Sequence, residues 1–290
     1  MSDKRRILIQ LDTDPIPSVF DRVVAIDAGA DVLFSYGGVK AENVKELVHG
    51  AIFTRGPKDL KHTALFIGGS DVAAGEQLLD EAKKHMLPDY RLQVSVMLDS
   101  SGANTTAAAA VRAASRHLEL GKSAALVLGG TGPVGQRVAL LLARQGAHVR
   151  IGSRQRERAA AVCDRIRHAV PGGKVEPVST ASSDDLKNVA DRTLVIAAGA
   201  AGVVLLPNKI RQGMTGLRVM VDLNAVPPLG IDGVEVMDKG AQRDGIVSYG
   251  AIGVGDTKMK VHKSAIAKLF ESNDQVLDVE QIYELACAMA

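Results

Sequence analysis

Residues 122–154 read KSAALVLGGTGPVGQRVALLLARQGAHVRIGSR. An apolar run, Ala124 to Leu128, enters the glycine turn Gly130-Thr131-Gly132-Pro133-Val134-Gly135; an amphipathic helix and a second apolar run, His148 to Ile151, complete the unit. Strand, G-x-G-x-x-G, helix and strand in this order mark a dinucleotide site. Gly130 permits the tight turn, Gly132 lets the backbone approach a pyrophosphate, and Gly135 lets the helix lie close to the sheet. The helix start offers N–H groups and partial positive charge to phosphates. The second strand ends in Gly152-Ser153-Arg154-Gln155-Arg156. NAD-binding chains place a carboxylate here, about 20 residues after the fingerprint, for the ribose hydroxyls. A carboxylate would repel a 2′-phosphate, whereas Ser153 can donate to one and Arg154 and Arg156 can pair with it. The expected cofactor is NADP, with NAD possible.

Outward from this unit the chain alternates strand and helix. Before it come apolar runs at Ile7 to Leu11, Val32 to Ser35, Ala64 to Ile67 and Leu92 to Leu98, separated by helical segments from Ser18 to about Ala28, Ala41 to His49, after Asp71, and Asn104 to about His117. After it come Leu194 to Ala198, Leu217 to Leu223 and Ile246 to Ala251. Such alternation specifies an α/β fold with parallel sheets. Two domains are expected: an N-terminal α/β domain of residues 1–119 with 256–290, and a Rossmann-like dinucleotide-binding domain of residues 120–255. Two C-terminal helices, HKSAIAKLFESN and VEQIYELACAMA, are placed with the first domain. Ala198, Gly199, Asp222 and Asn224 fall at or just past strand ends, where open α/β sheets bind ligands, and are assigned to the cofactor.

Composition narrows the function. The 290 residues carry a formal net charge of +2, so no polyelectrolyte signal points to nucleic acid or an anionic membrane. Aromatic residues are 3% and Trp is absent, which argues against base-stacking surfaces. Cys163 and Cys287 have no metal-ligand spacing and neither do the seven histidines, so no metal is expected and the thiols are expected to be reduced. The apolar run after MSDKRR is too short for a signal peptide, and no stretch approaches the ~20 apolar residues of a membrane span. A soluble cytoplasmic protein is expected.

The segments DTDPIPSVFD (12–21), DAGAD (27–31), IFTRG (52–56), FIGGSDVAAGE (66–76), DSSGANTTAAAA (99–110), GGTGPVG (129–135), DLNAVPPLGI (222–231), GAIGVGDTKMKVH (250–262) and IAKLFES (266–272) run in unbroken order over nearly the whole chain. In these the chain resembles the bacterial methylene-tetrahydromethanopterin dehydrogenases of one-carbon metabolism, and more the NADP-dependent type than the one that also uses NAD. It is distantly similar to the methylene-tetrahydrofolate dehydrogenase/cyclohydrolases. The resemblance implies hydride transfer from the methylene bridge of a reduced pterin to a nicotinamide. The pterin would lie in a cleft of two domains, in a homo-oligomer. The Ala-rich helices and the C-terminal helix offer an oligomer interface.

This chemistry asks little of acids and bases. Hydride loss from a carbon between two nitrogens leaves an amidinium, and no proton need move, so orientation and electrostatics dominate. Candidates for the pterin side come from polar turns. Asp14 and Asp99 are candidate catalytic carboxylates, with Asp12, Thr13, Ser18, Ser100, Asn104 and Thr105 as binding groups beside them. Turn and cap chemistry is the competing reading for Asp14 and the favoured one for Ser18. Arg55 is either a contact to an anionic pterin tail or a surface charge. Lys258, after a glycine-rich strand, is the third catalytic candidate and Lys260 a binding one. Tyr36 and Lys40 superficially match the Tyr/Lys pair of the cyclohydrolases, but Gly37-Gly38 between them break a helix, so no cyclohydrolase activity is expected. The alternatives are an enzyme for methylene-tetrahydrofolate or for both pterins, and an NADP-binding sensor without turnover.

Overall fold

The computed structural model describes residues 4–289; Met1–Asp3 of the basic start and Ala290 of the last expected helix lie outside the described residues. Two compact units form, residues 1–105 with 259–290 and residues 106–258. The division falls inside two continuous helices, at Thr105/Thr106 and Lys258/Met259, and not at the expected 119/120 and 255/256. Composition does not change within a helix, so nothing in the residues marks these points.

The first unit starts with β1 (Ile7–Asp12), α1 (Val19–Asp27), β2 (Val32–Tyr36), α2 (Val44–Phe53), β3 (Thr63–Gly68), α3 (Val72–Lys84), β4 (Ser95–Leu98) and the start of α4 (Ala103–Ser115). α2 begins three residues later than expected, because the Asn43 side chain accepts from the Lys40 N–H at 2.8 Å and holds 40–43 as a turn. Tyr36 ends β2 and Gly38 has φ +64°, so Tyr36 and Lys40 share no helix face.

The second unit follows with β5 (Ala124–Leu128), α5 (Pro133–Arg144), β6 (His148–Ser153), α6 (Arg156–Ala169), β7 (Val175–Ser179), α7 (Ser183–Lys187), β8 (Leu194–Ala197), α8 (Asn208–Arg211), β9 (Val219–Asp222), β10 (Lys239–Arg243) and β11 (Ile246–Tyr249). Then come α9 (Ala251–Lys268), β12 (Val276–Leu277) and α10 (Val279–Ala288). The first sheet has the order β12-β4-β3-β1-β2 and is parallel throughout. On one face Ile9, Leu11, Leu65 and Ile67 pack with Val48 and Ile52 of α2 and Leu78 of α3. The second sheet has the order β10-β11-β9-β8-β5-β6-β7, with only β10 antiparallel. Its strand order reverses between β5 and β8, the point where doubly wound sheets open a crevice at their C-terminal edge.

The segment GAIGVGDT, expected as a strand, is the first turns of α9, which starts about ten residues before the expected helix. Glycine disfavours a helix intrinsically. Here packing overrides that preference: a Cβ on Gly250 would overlap Glu235 O, and one on Gly253 would overlap Asp238 O. Only glycine lets the helix start lie this close to residues 235–239.

Asp238 ties this region together. It is 5% exposed and accepts from the Glu235 N–H at 2.9 Å, the Ser248 hydroxyl at 2.8 Å and Arg243 Nη2 at 2.7 Å. Burial pushes its carboxyl up, but the Arg243 guanidinium, the Glu235 N–H and the Ser248 hydroxyl outweigh burial and leave it below the usual carboxylate range. A carboxyl lowered in the folded state stabilises above its unfolded pKa and loses that contribution as pH falls through the folded value. Asp238→Asn is therefore expected to cost about 2 kcal/mol at neutral pH and to flatten the acid limb of stability below about pH 4, as read by urea unfolding across that range.

Candidate functional site

In the second unit the glycine turn lies at the strand-order reversal. Gly129 carries the left-handed backbone, φ +69°, and a Cβ there would stand 2.5 Å from Gly199 Cα. Gly130 is shielded by Ile151, whose Cγ2 would be 2.7 Å from an added Cβ. The residue that permits the sharp turn is thus Gly129, which the spacing of the motif alone does not single out; the Gly129-Gly130 doublet was the available signal. A Cβ on Gly135 would overlap Gly129 O and stand 2.8 Å from Gly130 Cα, so α5 rests directly on the turn. Around Gly132 the nearest atom to an added Cβ is Gly129 O at 3.4 Å, leaving backbone open to approach. Pro133 occupies the first turn of α5, no side chain caps its N–H groups and no acidic residue stands there. The Thr131 carbonyl is pinned by Gln136 Nε2 at 2.6 Å, and Gln136 in turn by Arg165. These residues fit a pyrophosphate: a glycine cradle, open N–H groups and no competing anion.

The turn after β6 is basic. Ser153 is 8% exposed, and its Oγ accepts from the Gln155 N–H at 3.2 Å, so its own proton is left to donate outward. Arg154 and Arg156 are exposed, and neither pairs with a carboxylate among the described residues. Of the other cofactor candidates, Ala198 continues the β5–β8 ladder through its N–H to Leu128 O at 2.9 Å, and Gly199 lies against Gly129. Asp222 and Asn224 are loop-holding groups instead. Asp222 is fully buried and accepts from the N–H groups of Asn224 at 3.0 Å and Ile231 at 2.7 Å; Asn224 bonds Pro228 O and the Val226 N–H. Burial pushes the Asp222 carboxyl up despite these N–H groups.

In the first unit β1, β3 and β4 end side by side, and their loops interlock. Asp12 is fully buried; it accepts from the N–H groups of Asp14 at 2.9 Å and Ser18 at 3.1 Å and from Gln10 Nε2 at 3.3 Å. Asp14 accepts from both the N–H and the hydroxyl of Ser70, at 3.0 and 2.9 Å. Ser18 caps α1 by accepting from the Asp21 N–H. Asp99 is 1% exposed and accepts from the N–H and hydroxyl of Thr105 at 3.0 and 2.7 Å. Ser100 donates to Gly68 O at 3.2 Å, and Asn104 to Leu98 O and to Asp278, the cap of α10. Asp99, expected as a catalytic carboxylate, and Asp12, Ser100, Asn104 and Thr105, expected as substrate groups, therefore hold the loops from within. The loops turn outward at half-buried Thr13 and Asp14 and at exposed Ser70 and Ser101. Ser70 is not among the residues singled out in the sequence, and Ser101 enters there only as part of the polar turn that begins at Asp99; they lie two and three residues past their strand ends, on the edge where such sheets bind ligands.

Arg55 is not part of this edge. Its Nη1 donates to Arg5 O and His62 O, which precede β1 and β3, so it braces the opposite end of the sheet. Lys258 and Lys260 both lie on α9, and residues two apart on a helix project about 200° from each other. Lys258 is half-buried and shares its face with His262 one turn on; Lys260 is exposed. Among the described residues no group of three or more His, Cys, Asp or Glu is placed to hold a metal ion.

A parallel α/β sheet with an open glycine turn at its reversal point defines a dinucleotide-binding protein of the two-domain dehydrogenase fold. Solved structures share this fold. They include a quinate dehydrogenase from Corynebacterium glutamicum in complex with NAD (16% identity, 98% of this chain and 99% of that one, TM-score 0.53) and the shikimate dehydrogenase of Mycobacterium tuberculosis (15%, 98% and 100%, TM-score 0.50). Residues 19–101 match the family model described as "Methylene-tetrahydromethanopterin dehydrogenase, N-terminal". Over 99% of both chains the sequence is 44% identical to the "Bifunctional protein MdtA" of Methylorubrum extorquens, and 32% identical to the "NAD(P)-dependent methylenetetrahydromethanopterin dehydrogenase" of the same organism. The chain belongs to the methylene-tetrahydromethanopterin dehydrogenase family.

Proposed function

We propose that this chain is an oxidoreductase that passes a hydride from methylene-tetrahydromethanopterin to NADP, giving the methenyl form. Family membership supports the reaction, and the observation that carries the cofactor choice is the unpaired Arg154 and Arg156 beside Ser153, with no carboxylate at the end of β6. The backbone of 129–135 and the first turn of α5 would hold the pyrophosphate, and the 153–156 turn the 2′-phosphate. Bound there, the nicotinamide supplies the hydride acceptor. The chain's own part is orientation and charge: the substrate carbon lies between two nitrogens whose lone pairs stabilise the cation left behind, so no side chain has to take a proton. The C-terminal edge of the five-stranded sheet, at Thr13, Asp14, Ser70 and Ser101, is the proposed pterin-binding edge.

A spectrophotometric assay of NADPH formation tests this with methylene-tetrahydromethanopterin and methylene-tetrahydrofolate in turn. Turnover of the first is expected; NADP binding without turnover of either would leave only a sensor. The alternative reading, an enzyme for methylene-tetrahydrofolate or for both pterins, is separated by the same assay. Lys258 is kept as the proposed catalytic cation, and Lys258→Met is expected to lower kcat at least about tenfold with the NADP Kd unchanged. Wild-type kinetics would remove it from the site.

The proposed setting is cytoplasmic and homo-oligomeric. No helix among the described residues is long and apolar enough to cross a membrane, and the two cysteines are unpaired. Ala107–Ala110 and the apolar face of α10 are buried within the chain. The open apolar stripe is instead Val19, Val23 and Ile26 of α1, each more than half exposed, which supports self-association there.

A further inference from the structure

His262 is used by nothing described so far. It is fully buried in the first unit, stacked on Phe66 with ring centroids 5.8 Å apart and planes 12° apart, and tilted against Phe20 at 6.2 Å. A leucine would fill such a slot without the desolvation cost of an imidazole. The ring's Nδ1 lies 3.8 Å from Asp99 Oδ2. That is longer than a hydrogen bond, and it sets the ring's polar edge against the buried carboxylate. Asp99 in turn is the anchor of residues 99–105: it holds Thr105, while Ser101, at φ 57°, donates its N–H to Gly69 O at 2.6 Å and is exposed.

We propose that His262 is a positioning residue for pterin binding: the Nδ1 edge of its ring fixes the Asp99 carboxylate, and through it the shape in which residues 99–105 present Ser101. The inference rests on the pterin docking at this edge, as proposed above. It explains why a polar ring occupies an apolar slot between two phenylalanines. It also explains how α9 controls a loop to which it contributes no residue.

Two full-length variants separate polarity from packing. His262→Phe keeps the ring and removes the nitrogens; His262→Asn shortens the side chain and keeps a polar atom near the Nδ1 position. The Thr105 amide, bonded to Asp99, reports the loop by hydrogen exchange without any substrate. His262→Phe is expected to exchange this amide about tenfold faster and to raise the KM for the methylene pterin about tenfold, with the KM for NADP unchanged. His262→Asn is expected to recover most of both. Wild-type exchange and KM in His262→Phe overturn the proposal, and so does an Asn variant as impaired as the Phe one. His262→Leu replaces the Phe variant if the larger ring does not fold, with the same expectations. If the wild type turns over no methylene pterin, the proposed function falls, and the exchange result alone still decides whether His262 fixes the loop.

Discussion

Replacing Arg154 and Arg156 together with alanine is expected to lower kcat/KM for NADP about 100-fold and to leave that for NAD within about threefold. Charge-assisted hydrogen bonds to a phosphate contribute roughly 1.5–3 kcal/mol each. Both guanidiniums are exposed, so solvent and salt screen them and the lower end applies. Two such contacts give the factor of about 100. NAD lacks the 2′-phosphate and loses nothing specific. Because the interaction is between a dianion and exposed cations, the wild-type preference for NADP should also shrink as ionic strength rises. Ser153→Asp goes further: a carboxylate there repels the phosphate and accepts from ribose hydroxyls, which should reverse the preference. Steady-state kinetics with each nucleotide decide the matter. An equal loss with both would mean that the turn shapes the site without reading the phosphate.

Gly135→Ala is expected to abolish measurable cofactor binding, at a cost of at least about 100-fold in affinity. The added methyl would overlap a backbone oxygen, Gly129 O, with Gly130 Cα 2.8 Å away on the same side. Neither can swing aside as a side chain would, so α5 must lift or the turn must open. Overpacking of this kind also costs about 1–3 kcal/mol of stability, visible as a lower Tm. Gly132→Ala is the control. Its methyl meets nothing closer than 3.4 Å, so the fold should keep its Tm while the methyl enters the space left for the pyrophosphate. Loss of affinity with unchanged Tm in Gly132→Ala, and loss of both in Gly135→Ala, would separate the cradle from its support. Isothermal titration with NADP and thermal unfolding provide the two readings.

The dinucleotide half was legible because its geometry leaves few choices of residue. A backbone that must pass within van der Waals contact of Gly199, Ile151 and α5 demands glycine at fixed spacing, and that spacing is visible in the chain. The parallel sheets followed from alternation alone. Less visible was anything decided by distant packing. α9 begins in a glycine-rich segment because residues 235–239 lie against it, a contact that no local propensity reports. β10 is polar, as an edge strand with one neighbour is free to be, and β12 has only two residues. On the proposed pterin side the polar turns were legible, but not which way their groups face. Asp12, Asp99 and Asn104 look in sequence like binding groups. Whether a carboxylate faces a ligand or its own loop depends on which N–H groups the folded chain brings to it, and here the loop takes the lone pairs.

That arrangement separates the shape of each loop from its chemistry. Asp12 at the end of β1, Asp99 just past β4 and Asp222 at the end of β9 each act as an internal staple, closing a loop from beneath through main-chain donors. The outward side chains of Thr13 and Ser101 carry little of that architecture, whereas the Ser70 hydroxyl still ties the loop after β3 to Asp14. Thr13 and Ser101 form an exchangeable rim on a fixed frame. Substitutions there should retune which one-carbon carrier is accepted without loosening the fold, so a library confined to these rim positions is the economical route to altered carrier preference.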